Sequence, residues 1–260
     1  MKERIDILLV ERNLADSRTK AQWLIKNGYV LVNKKQIIKP SKRIENTLEI
    51  QVTQSYPYVG RGGLKLKAAI KEFSISVKGK ICADIGSSVG GFTDCLIKNG
   101  ALKVYAIDTA TDLLHPSLRC EKMKEKIIPL LGVDARNLIP IEELVDICTI
   151  DMTFTSLRAV LPKVKRILKK NGDIIALVKP IFETEFYNKH RFDIIKDTNH
   201  LFQILNELIQ WIIENHFFPN GIIKSPILGK EGSIEFFIHL KLKKPNLYFN
   251  PKKMIKDILK

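Results

Sequence analysis

The sequence predicts an α/β protein with a small N-terminal α+β domain and a larger, doubly wound, Rossmann-like domain built on a seven-stranded sheet. The first sixty residues combine two helical patterns with runs of period two, whereas the remainder alternates buried strands with amphipathic helices. A glycine-rich turn follows the first of these strands. At 260 residues the chain can hold one sizeable core and a small module. We place the domains at residues 1–57 and 58–244, with a tail at 245–260.

Two short helices open the N-terminal domain. Apolar residues recur at helical spacing over residues 5–9, and Ser17 is a good N-cap for a second helix that Gly28 closes. The pattern then changes to period two at residues 29–32, continues after a turn with Ile37, and recurs at residues 48–52. The sequence therefore predicts an ααβββ-like unit.

The net charge of the chain indicates which class of partner it binds. The formal net charge is +15, spread over the whole sequence, and this predicts a polyanionic partner such as nucleic acid. The alternative is that the lysine content reflects compositional bias. The 4 cysteines lack metal-ligand spacing, so we predict reduced thiols and no metal. No apolar leader or membrane-length segment is present, which predicts a cytoplasmic protein without a membrane partner.

Three segments of the N-terminal domain, residues 4–6, 15–21 and 25–33, resemble the S4-type RNA-binding domain. In that family the second helix and the turn before it lie against structured RNA, so the resemblance implies phosphate contacts here. The alternative is a solvated basic helix face. Recognition of this kind depends on RNA shape and backbone. The candidate RNA-binding residues are Arg4, Ser17, Arg18, Lys20, Lys34, Lys35 and Arg61.

The larger domain begins with a glycine-rich loop at residues 60–63, followed by a helix from Leu64. Its last two predicted strands pair without an intervening helix. The predicted strands lie at 81–85, 104–108, 127–131, 146–150, 173–178, 219–225 and 234–242. The predicted helices lie near 91–99, 156–169 and 197–216.

The stretch from residue 81 to residue 108 has the layout of a nucleoside-cofactor site. One buried strand leads through Asp84 into a glycine-bearing turn, and the next ends in Asp108, which can accept hydrogen bonds from ribose hydroxyls. The turn lacks dinucleotide glycine spacing and resembles that of S-adenosylmethionine (SAM) methyltransferases, although similar turns occur in many α/β proteins. We assign Asp134 to the adenine amino group. The candidate cofactor-binding residues are Asp84, Gly86, Ser87, Gly91, Phe92, Asp108 and Asp134.

Charged residues follow two of the predicted strands. Asp151 and Lys179 each come directly after an apolar run, and ligands of doubly wound sheets lie beyond the carboxyl ends of the strands. Glu235 opens the last strand and Lys65 lies on the loop that enters the domain. The four side chains can therefore converge. The alternative is that Lys65 is a solvated helix residue and that Glu235 caps an edge strand.

The whole chain resembles the TlyA (haemolysin A) family, SAM-dependent rRNA 2′-O-methyltransferases that join an S4-type domain to an FtsJ-like domain. The matching blocks are residues 61–66 (RGGxKL), 84–94 (the donor loop), 151–157 (D-x-S-F-x-S-L), 179–183 (K-P-Q-F-E) and 225–229 (S-P-x-x-G). The resemblance implies methylation of cytidine in 16S and/or 23S rRNA, with ribosomal subunits as partners. By the same resemblance the catalytic residues are Lys65, Asp151, Lys179 and Glu235.

The chemistry gives each of these residue types a role. A ribose 2′-hydroxyl is a poor nucleophile while protonated, so methyl transfer needs a base and a field that favours the developing alkoxide. We assign Lys179 as the base and Asp151 as the group that orients it. Lys65 would stabilise charge on the ribose oxygen, and Glu235 would hold Lys65 or the hydroxyl. Direct transfer requires neither a covalent intermediate nor a metal.

The chain departs from the family pattern at three places. Thr109 and Ala110 stand where Val and Gly are usual, Ser233 replaces Asn, and Ile181 replaces Gln. None of these positions belongs to the catalytic set. Two alternative functions follow from other classes: an RNA-binding assembly factor without catalytic activity, and a membrane-lytic protein, as the haemolysin name suggests. The intact catalytic set argues against the first, and the lack of a lytic segment against the second.

Overall fold

The computed structural model describes residues 2–138, 140–184, 197–229, 232–244 and 250–260. The chain divides into two compact units, Met1–Arg61 and Gly62–Lys260. Each unit has its own hydrophobic core.

The described part of the N-terminal unit contains two helices and five short strands. Its elements are β1 (Lys2–Arg4), α1 (Ile5–Glu11), α2 (Arg18–Lys26), β2 (Val30–Val32), β3 (Lys35–Gln36), β4 (Arg43–Glu45) and β5 (Ile50–Val52). β1 pairs with β4, and a second sheet has the order β3-β2-β5. The predicted ααβββ pattern omits one strand before the helices and one between the others. Three residues are too few to show an alternation of apolar and polar side chains. β1 and β4 are strands because they pair with each other over a long sequence separation.

Local signals and packing agree in the two N-terminal helices. The Ser17 hydroxyl accepts a hydrogen bond from Lys20 N at 3.3 Å and so caps α2, as its sequence position predicts. Ile5 and Leu9 of α1 and Ile25 of α2 are fully buried in the core of this unit. Burial of these apolar faces stabilises helices that are too short to persist alone.

The C-terminal unit is built on one seven-stranded sheet. Its strands are β6 (Ile81–Ile85), β7 (Lys103–Asp108), β8 (Ile127–Leu131), β9 (Val145–Ile150), β10 (Leu168–Val178), β11 (Phe218–Lys224) and β12 (Phe236–Lys241). Its helices are α3 (Gly62–Glu72), α4 (Gly91–Lys98), α5 (Leu157–Val164), α6 (Pro180–Glu183), α7 (Thr198–Glu214) and α8 (Pro251–Leu259). The spatial order of the strands is β11-β12-β10-β9-β6-β7-β8.

The register of this sheet aligns the strand ends that matter for function. Strands β8, β7, β6, β9 and β10 run parallel, so their carboxyl ends share one edge. β12 is antiparallel to both β10 and β11, and its first residue, Phe236, pairs with Val178 at the end of β10. The beginning of β12 therefore lies at the same edge as the end of β10.

One helix is shorter than its sequence pattern predicts. The prediction extends it to residue 169, but α5 ends at Val164. Leu168 instead begins β10 and pairs with Val145 of β9. This prediction was wrong because apolar residues after the helix, including the fully buried Ile167, fit a strand as well as a helix, and pairing with β9 decides between them.

The C-terminal tail ends in a helix that packs on the larger core. Asn250 caps α8 by accepting a hydrogen bond from Lys253 N at 3.1 Å, and Ile255 is fully buried. α8 contacts α7 and β11. Three apolar tail residues of the sequence, Leu247, Tyr248 and Phe249, lie outside the described residues. In the described part of the chain, no helix has the length and apolar character needed to cross a membrane.

Candidate active site

Topology brings three of the predicted catalytic residues to one edge of the sheet. Asp151 follows the last residue of β9, and Lys179 follows the last residue of β10. Glu235 immediately precedes β12, whose first residue pairs with Val178, so Glu235 lies beside the end of β10. These side chains are thus delivered to the edge where doubly wound sheets bind ligands.

Lys179 and Asp151 form an ion pair. Lys179 Nζ lies 2.5 Å from Asp151 Oδ1, and the two side chains are 15% and 24% exposed. The same ammonium donates to the Met152 carbonyl at 2.9 Å and to the Thr153 hydroxyl at 3.3 Å. Two hydrogen-bond acceptors and one ion-pair partner on one short segment therefore fix the position of Nζ.

Lys65 and Glu235 form a second, more deeply buried pair. Lys65 Nζ lies 2.5 Å from Glu235 Oε2, and the side chains are 8% and 4% exposed. Gly229 packs directly against the Glu235 carboxylate, and any Cβ there would collide with it. A residue on the first helix of the unit is thus joined to one beside its last strand.

The backbone of the loop after β6 lies very close to the backbone of Asp151. Gly86 has φ +81° and its Cα faces the Asp151 carbonyl so closely that a Cβ would clash. Ser88, at φ +49°, also adopts a left-handed conformation. Ser87 is buried, and among the described residues its hydroxyl has no hydrogen-bond partner. Because buried hydroxyls are nearly always hydrogen-bonded, this unpartnered hydroxyl indicates that a ligand binds at the loop.

A cavity of about 280 Å³ opens beside this loop. Asp108 lines it, with Oδ2 accepting from Ser88 N at 2.7 Å and Oδ1 accepting from Ala110 N at 2.8 Å. The carboxylate is therefore held in place while its remaining acceptor capacity stays available. The lining residues are Gly86, Ser88, Ile107, Asp108, Thr109, Ala110, Leu113, Val133, Ala135, Asp151, Met152, Thr153 and Phe154.

Asp84 lies beneath the loop and does not line the cavity. It is fully buried and accepts hydrogen bonds from the Thr93 hydroxyl at 2.6 Å and the Thr149 hydroxyl at 3.0 Å. Burial raises the pKa of Asp84 to about 6, and the charge of Asp151 acts in the same direction, whereas the threonine hydrogen bonds oppose them. The Asp84 carboxylate thus joins β6 to β9 and to α4, the helix that follows the loop.

The other predicted cofactor residues lie outside the cavity lining. Gly91 begins α4, and the buried Phe92 packs against Phe237 with ring centroids 6.0 Å apart. Asp134 is absent from the cavity lining, and its carboxylate binds the Arg136 guanidinium, which lowers the Asp134 pKa through hydrogen bonding. The structure therefore brings Gly86 and Asp108 to the cavity, with the Ser87 hydroxyl buried in the loop between them.

Glu183 is a buried carboxylate that the sequence patterns do not single out. It accepts hydrogen bonds from Ser156 Oγ at 2.6 Å and Leu157 N at 2.7 Å, and Arg158 Nη1 lies 3.1 Å away. Burial raises the Glu183 pKa, although these donors act in the opposite direction. The available signal is its position in the same five-residue block as Lys179.

The predicted RNA-binding residues divide into two groups. Arg4 binds the buried Asp6 through two hydrogen bonds of 2.9 Å, Arg18 lies 3.4 Å from the same carboxylate, and Lys20 pairs with Asp16 at 2.5 Å. Hydrogen bonding from Arg4 lowers the Asp6 pKa to about 2. Ser17 caps α2. Arg18 is nevertheless exposed, as are the side chains beside the β2–β3 turn and at the end of the unit, namely Lys34, Lys35 and Arg61.

Comparison with known proteins identifies the family. A model of FtsJ-like methyltransferases matches residues 58–242, and a model of the S4 domain matches residues 3–50. The 16S/23S rRNA (cytidine-2′-O)-methyltransferase TlyA of Mycobacterium tuberculosis (strain CDC 1551 / Oshkosh) is 33% identical over 242 residues, which span 92% of this chain and 89% of that protein. The chain belongs to the TlyA (hemolysin A) family of FtsJ-like methyltransferases.

Two further comparisons extend the TlyA family match over the chain. A Bacillus subtilis (strain 168) protein provisionally named rRNA methyltransferase YqxC is 40% identical over 243 residues, which span 92% of this chain and 85% of that protein. A solved structure from Streptococcus thermophilus, provisionally described as a hemolysin, superposes with a TM-score of 0.70 and 32% identity, covering 99% of this chain and 95% of that one. The family assignment therefore covers both units of the chain.

Proposed function

We propose that this TlyA-family chain transfers a methyl group from SAM to the ribose 2′-hydroxyl of cytidine in 16S and/or 23S rRNA. The observation that carries the proposal is the pairing of Lys179 with Asp151 and of Lys65 with Glu235 at the carboxyl edge of the sheet. Membership of the FtsJ-like methyltransferase family supports methyl transfer. The activity for which the M. tuberculosis relative is named supports the cytidine 2′-hydroxyl and rRNA.

The residues around the cavity fit SAM. The fixed Asp108 carboxylate suits a ribose, and the close backbone at Gly86 with the unpartnered Ser87 hydroxyl suits the methionine part. Asp134 is kept as the candidate for the adenine amino group, which requires its carboxylate to bind in place of, or beside, Arg136. When bound, SAM supplies an activated methyl group.

The chain's own residues then act on the hydroxyl. Lys179, in its neutral amine form, accepts the proton of the 2′-hydroxyl, while Asp151 and the Met152 carbonyl orient Nζ. The Lys65 ammonium lies in a buried setting, where a positive charge stabilises a developing alkoxide more strongly than it would in water. Glu235 keeps that ammonium in place.

The N-terminal unit supplies the second half of the proposal. Its S4 domain match and its exposed basic turn support binding to structured RNA through phosphates. Ribosomal subunits are therefore the proposed partners, and we infer a cytoplasmic location from that substrate class. In the described part of the chain, no cluster of His, Cys, Asp and Glu side chains has the arrangement of a metal site.

Transfer of labelled methyl from SAM to unmodified 30S and 50S subunits tests the proposal. We expect Lys179→Ala to lower the rate by roughly 10²- to 10⁴-fold, the usual contribution of a general base. Lys169→Ala is the matched control, because Lys169 lies near the start of β10, the strand that Lys179 follows, and binds Asp146 at 2.9 Å. This control should retain wild-type activity. A wild-type protein that binds SAM and transfers no methyl group to either subunit would instead indicate a non-catalytic assembly factor.

A further inference from the structure

Two loops that carry the proposed catalytic pair are joined at a second point by Glu183. The first loop runs from Asp151 after β9 to Ser156 before α5, and the second runs from Lys179 through α6. Glu183 ends α6 and reaches back to Ser156 Oγ and Leu157 N at 2.6 and 2.7 Å. Its side chain is 2% exposed, so these bonds are shielded from water.

The segment between these two anchors is strained. Phe154 has φ +63°, which is unfavourable for a bulky side chain. Its side chain is 83% exposed, so burial of the ring does not compensate for this conformation. Strain of this kind persists only where the surroundings over-determine the backbone. The constraints include the Lys179 contacts at one end of the segment and the Glu183 bonds at the other. The Phe154 ring also contacts the Phe182 ring of α6, with centroids 5.4 Å apart.

The bonds to Glu183 exceed what the start of α5 requires. Ser156 already caps that helix, because its hydroxyl accepts a hydrogen bond from Arg158 N at 3.1 Å. Burial of a carboxylate is costly unless its acceptors are satisfied, and here a hydroxyl, a backbone N–H and a guanidinium all converge on one group. Because Ser156 already caps α5, that helix does not require a charged side chain at position 183.

We propose that Glu183 is a positioning residue: it holds the Asp151–Ser156 loop so that Asp151, Met152 O and Thr153 Oγ1 meet Lys179 Nζ. The importance of this position for methyl transfer rests on the function proposed above. The position itself is a property of the folded chain and can be measured without the reaction. Loss of Glu183 frees the far end of the loop, and the strain at Phe154 then relaxes away from the conformation that binds Lys179.

Lysine reactivity measures this positioning directly. Trace labelling with an amine-reactive acetylating reagent, read out by mass spectrometry, gives the ratio of Lys179 to Lys65 modification in the full-length protein. Lys65 is the internal control, because Glu235 and not the loop holds it. We expect the ratio to rise roughly fivefold in Glu183→Ala, the change that the loss of one net hydrogen bond produces. Glu183→Gln keeps one acceptor for Leu157 N and should give a smaller rise.

Two controls separate this result from general loss of structure. Asp146→Ala also removes a carboxylate that accepts a backbone N–H, from Ile81 at 3.0 Å, and that pairs with a lysine, but near the other end of β9. It should leave the labelling ratio unchanged. If Glu183→Ala unfolds, Lys65 labelling rises as well. The ratio of Lys179 to Lys65 labelling in Glu183→Gln then tests the proposal. A ratio equal to that of wild type in the folded variants would overturn the proposal.

Kinetics provide the functional arm. With an active wild type, Glu183→Ala should lower kcat by up to about 100-fold, as small misplacements of catalytic groups do. Equal kcat values for wild type and the variant would also refute the proposed role. If wild-type protein transfers no methyl group, the proposed function fails, and the labelling ratio still decides whether Glu183 positions Lys179.

Discussion

At the scale of single residues, the candidate site depends on a few positions where backbone and side chains meet without spare room. Gly86 is one of them, because it combines a left-handed backbone with close approach to the Asp151 carbonyl. Glycine adopts such a backbone freely, whereas any side chain adds both strain and a collision. The loop after β6, which is the candidate cofactor loop, and the loop that begins at Asp151 are therefore in direct contact at this residue.

Gly86→Ala should abolish measurable SAM binding, because its Cβ displaces either the cofactor loop or Asp151. Gly79→Ala is the matched control, since Gly79 has φ +72° but nothing lies within 4 Å of an added Cβ. Both variants carry a backbone penalty of about 1–2 kcal/mol. Calorimetric titration with SAM and urea unfolding separate the two effects. Wild-type SAM affinity in Gly86→Ala would show that the loop does not need this close approach.

At the scale of secondary-structure elements, sequence pattern predicts those parts of the fold that local chemistry specifies. The buried strands of the large sheet and the N-cap at Ser17 follow from period and capping residues. The end of α5 and the short strands β1 and β4 do not, because pairing with distant strands decides them. Local propensity is a weak guide wherever tertiary contacts compete with it.

The same distinction applies to the candidate site. Asp151 and Lys179 are predictable because each follows an apolar strand of a parallel sheet. Spacing alone does not pair Lys65 with Glu235, which lies 170 positions away. The prediction that Glu235 holds Lys65 or the hydroxyl depended on the family resemblance and the chemistry of the reaction. Glu183 belongs to the matched block at residues 179–183, but its contacts with Ser156 and Leu157 could not be predicted because only the fold brings these residues together.

The C-terminal helix α8 should contribute to stability through one buried side chain. Ile255 has no solvent-accessible surface, so Ile255→Ala should lower the free energy of unfolding by about 2–5 kcal/mol. Lys256→Ala on the exposed face of the same helix should change it by less than about 0.5 kcal/mol. Urea unfolding of both variants provides the comparison. Equal values for the two would mean that α8 is not anchored at Ile255.

At the scale of the whole molecule, charge and domain organisation point to one kind of substrate. The net charge of +15 accompanies an S4 domain match and an FtsJ-like methyltransferase match on one chain. A basic protein that binds RNA phosphates releases counterions, so its affinity falls as salt rises. The exposed lysines of the β2–β3 turn, Lys34 and Lys35, are suitable residues for testing this contribution.

Replacement of Lys34 and Lys35 by alanine should weaken binding to structured rRNA fragments and reduce the salt slope by roughly 2, because each lysine is expected to neutralise one phosphate. The control replaces Lys78 and Lys80, two exposed lysines that precede β6 at the amino edge of the large sheet. Filter binding over a series of salt concentrations gives both slopes. A slope unchanged by the Lys34 and Lys35 replacements would exclude this turn from the RNA interface.

The position of the transferred methyl group tests the central claim most directly. Ribosomal subunits lacking the modification would be incubated with the protein and isotopically labelled SAM, and their rRNA then digested to nucleosides for mass spectrometry. We predict labelled 2′-O-methylcytidine as the product, formed roughly 10²- to 10⁴-fold more slowly when Lys179→Ala replaces the wild type. A labelled methyl group on a base, with no label on ribose, would contradict the assignment of Lys65, Asp151, Lys179 and Glu235 to a 2′-hydroxyl.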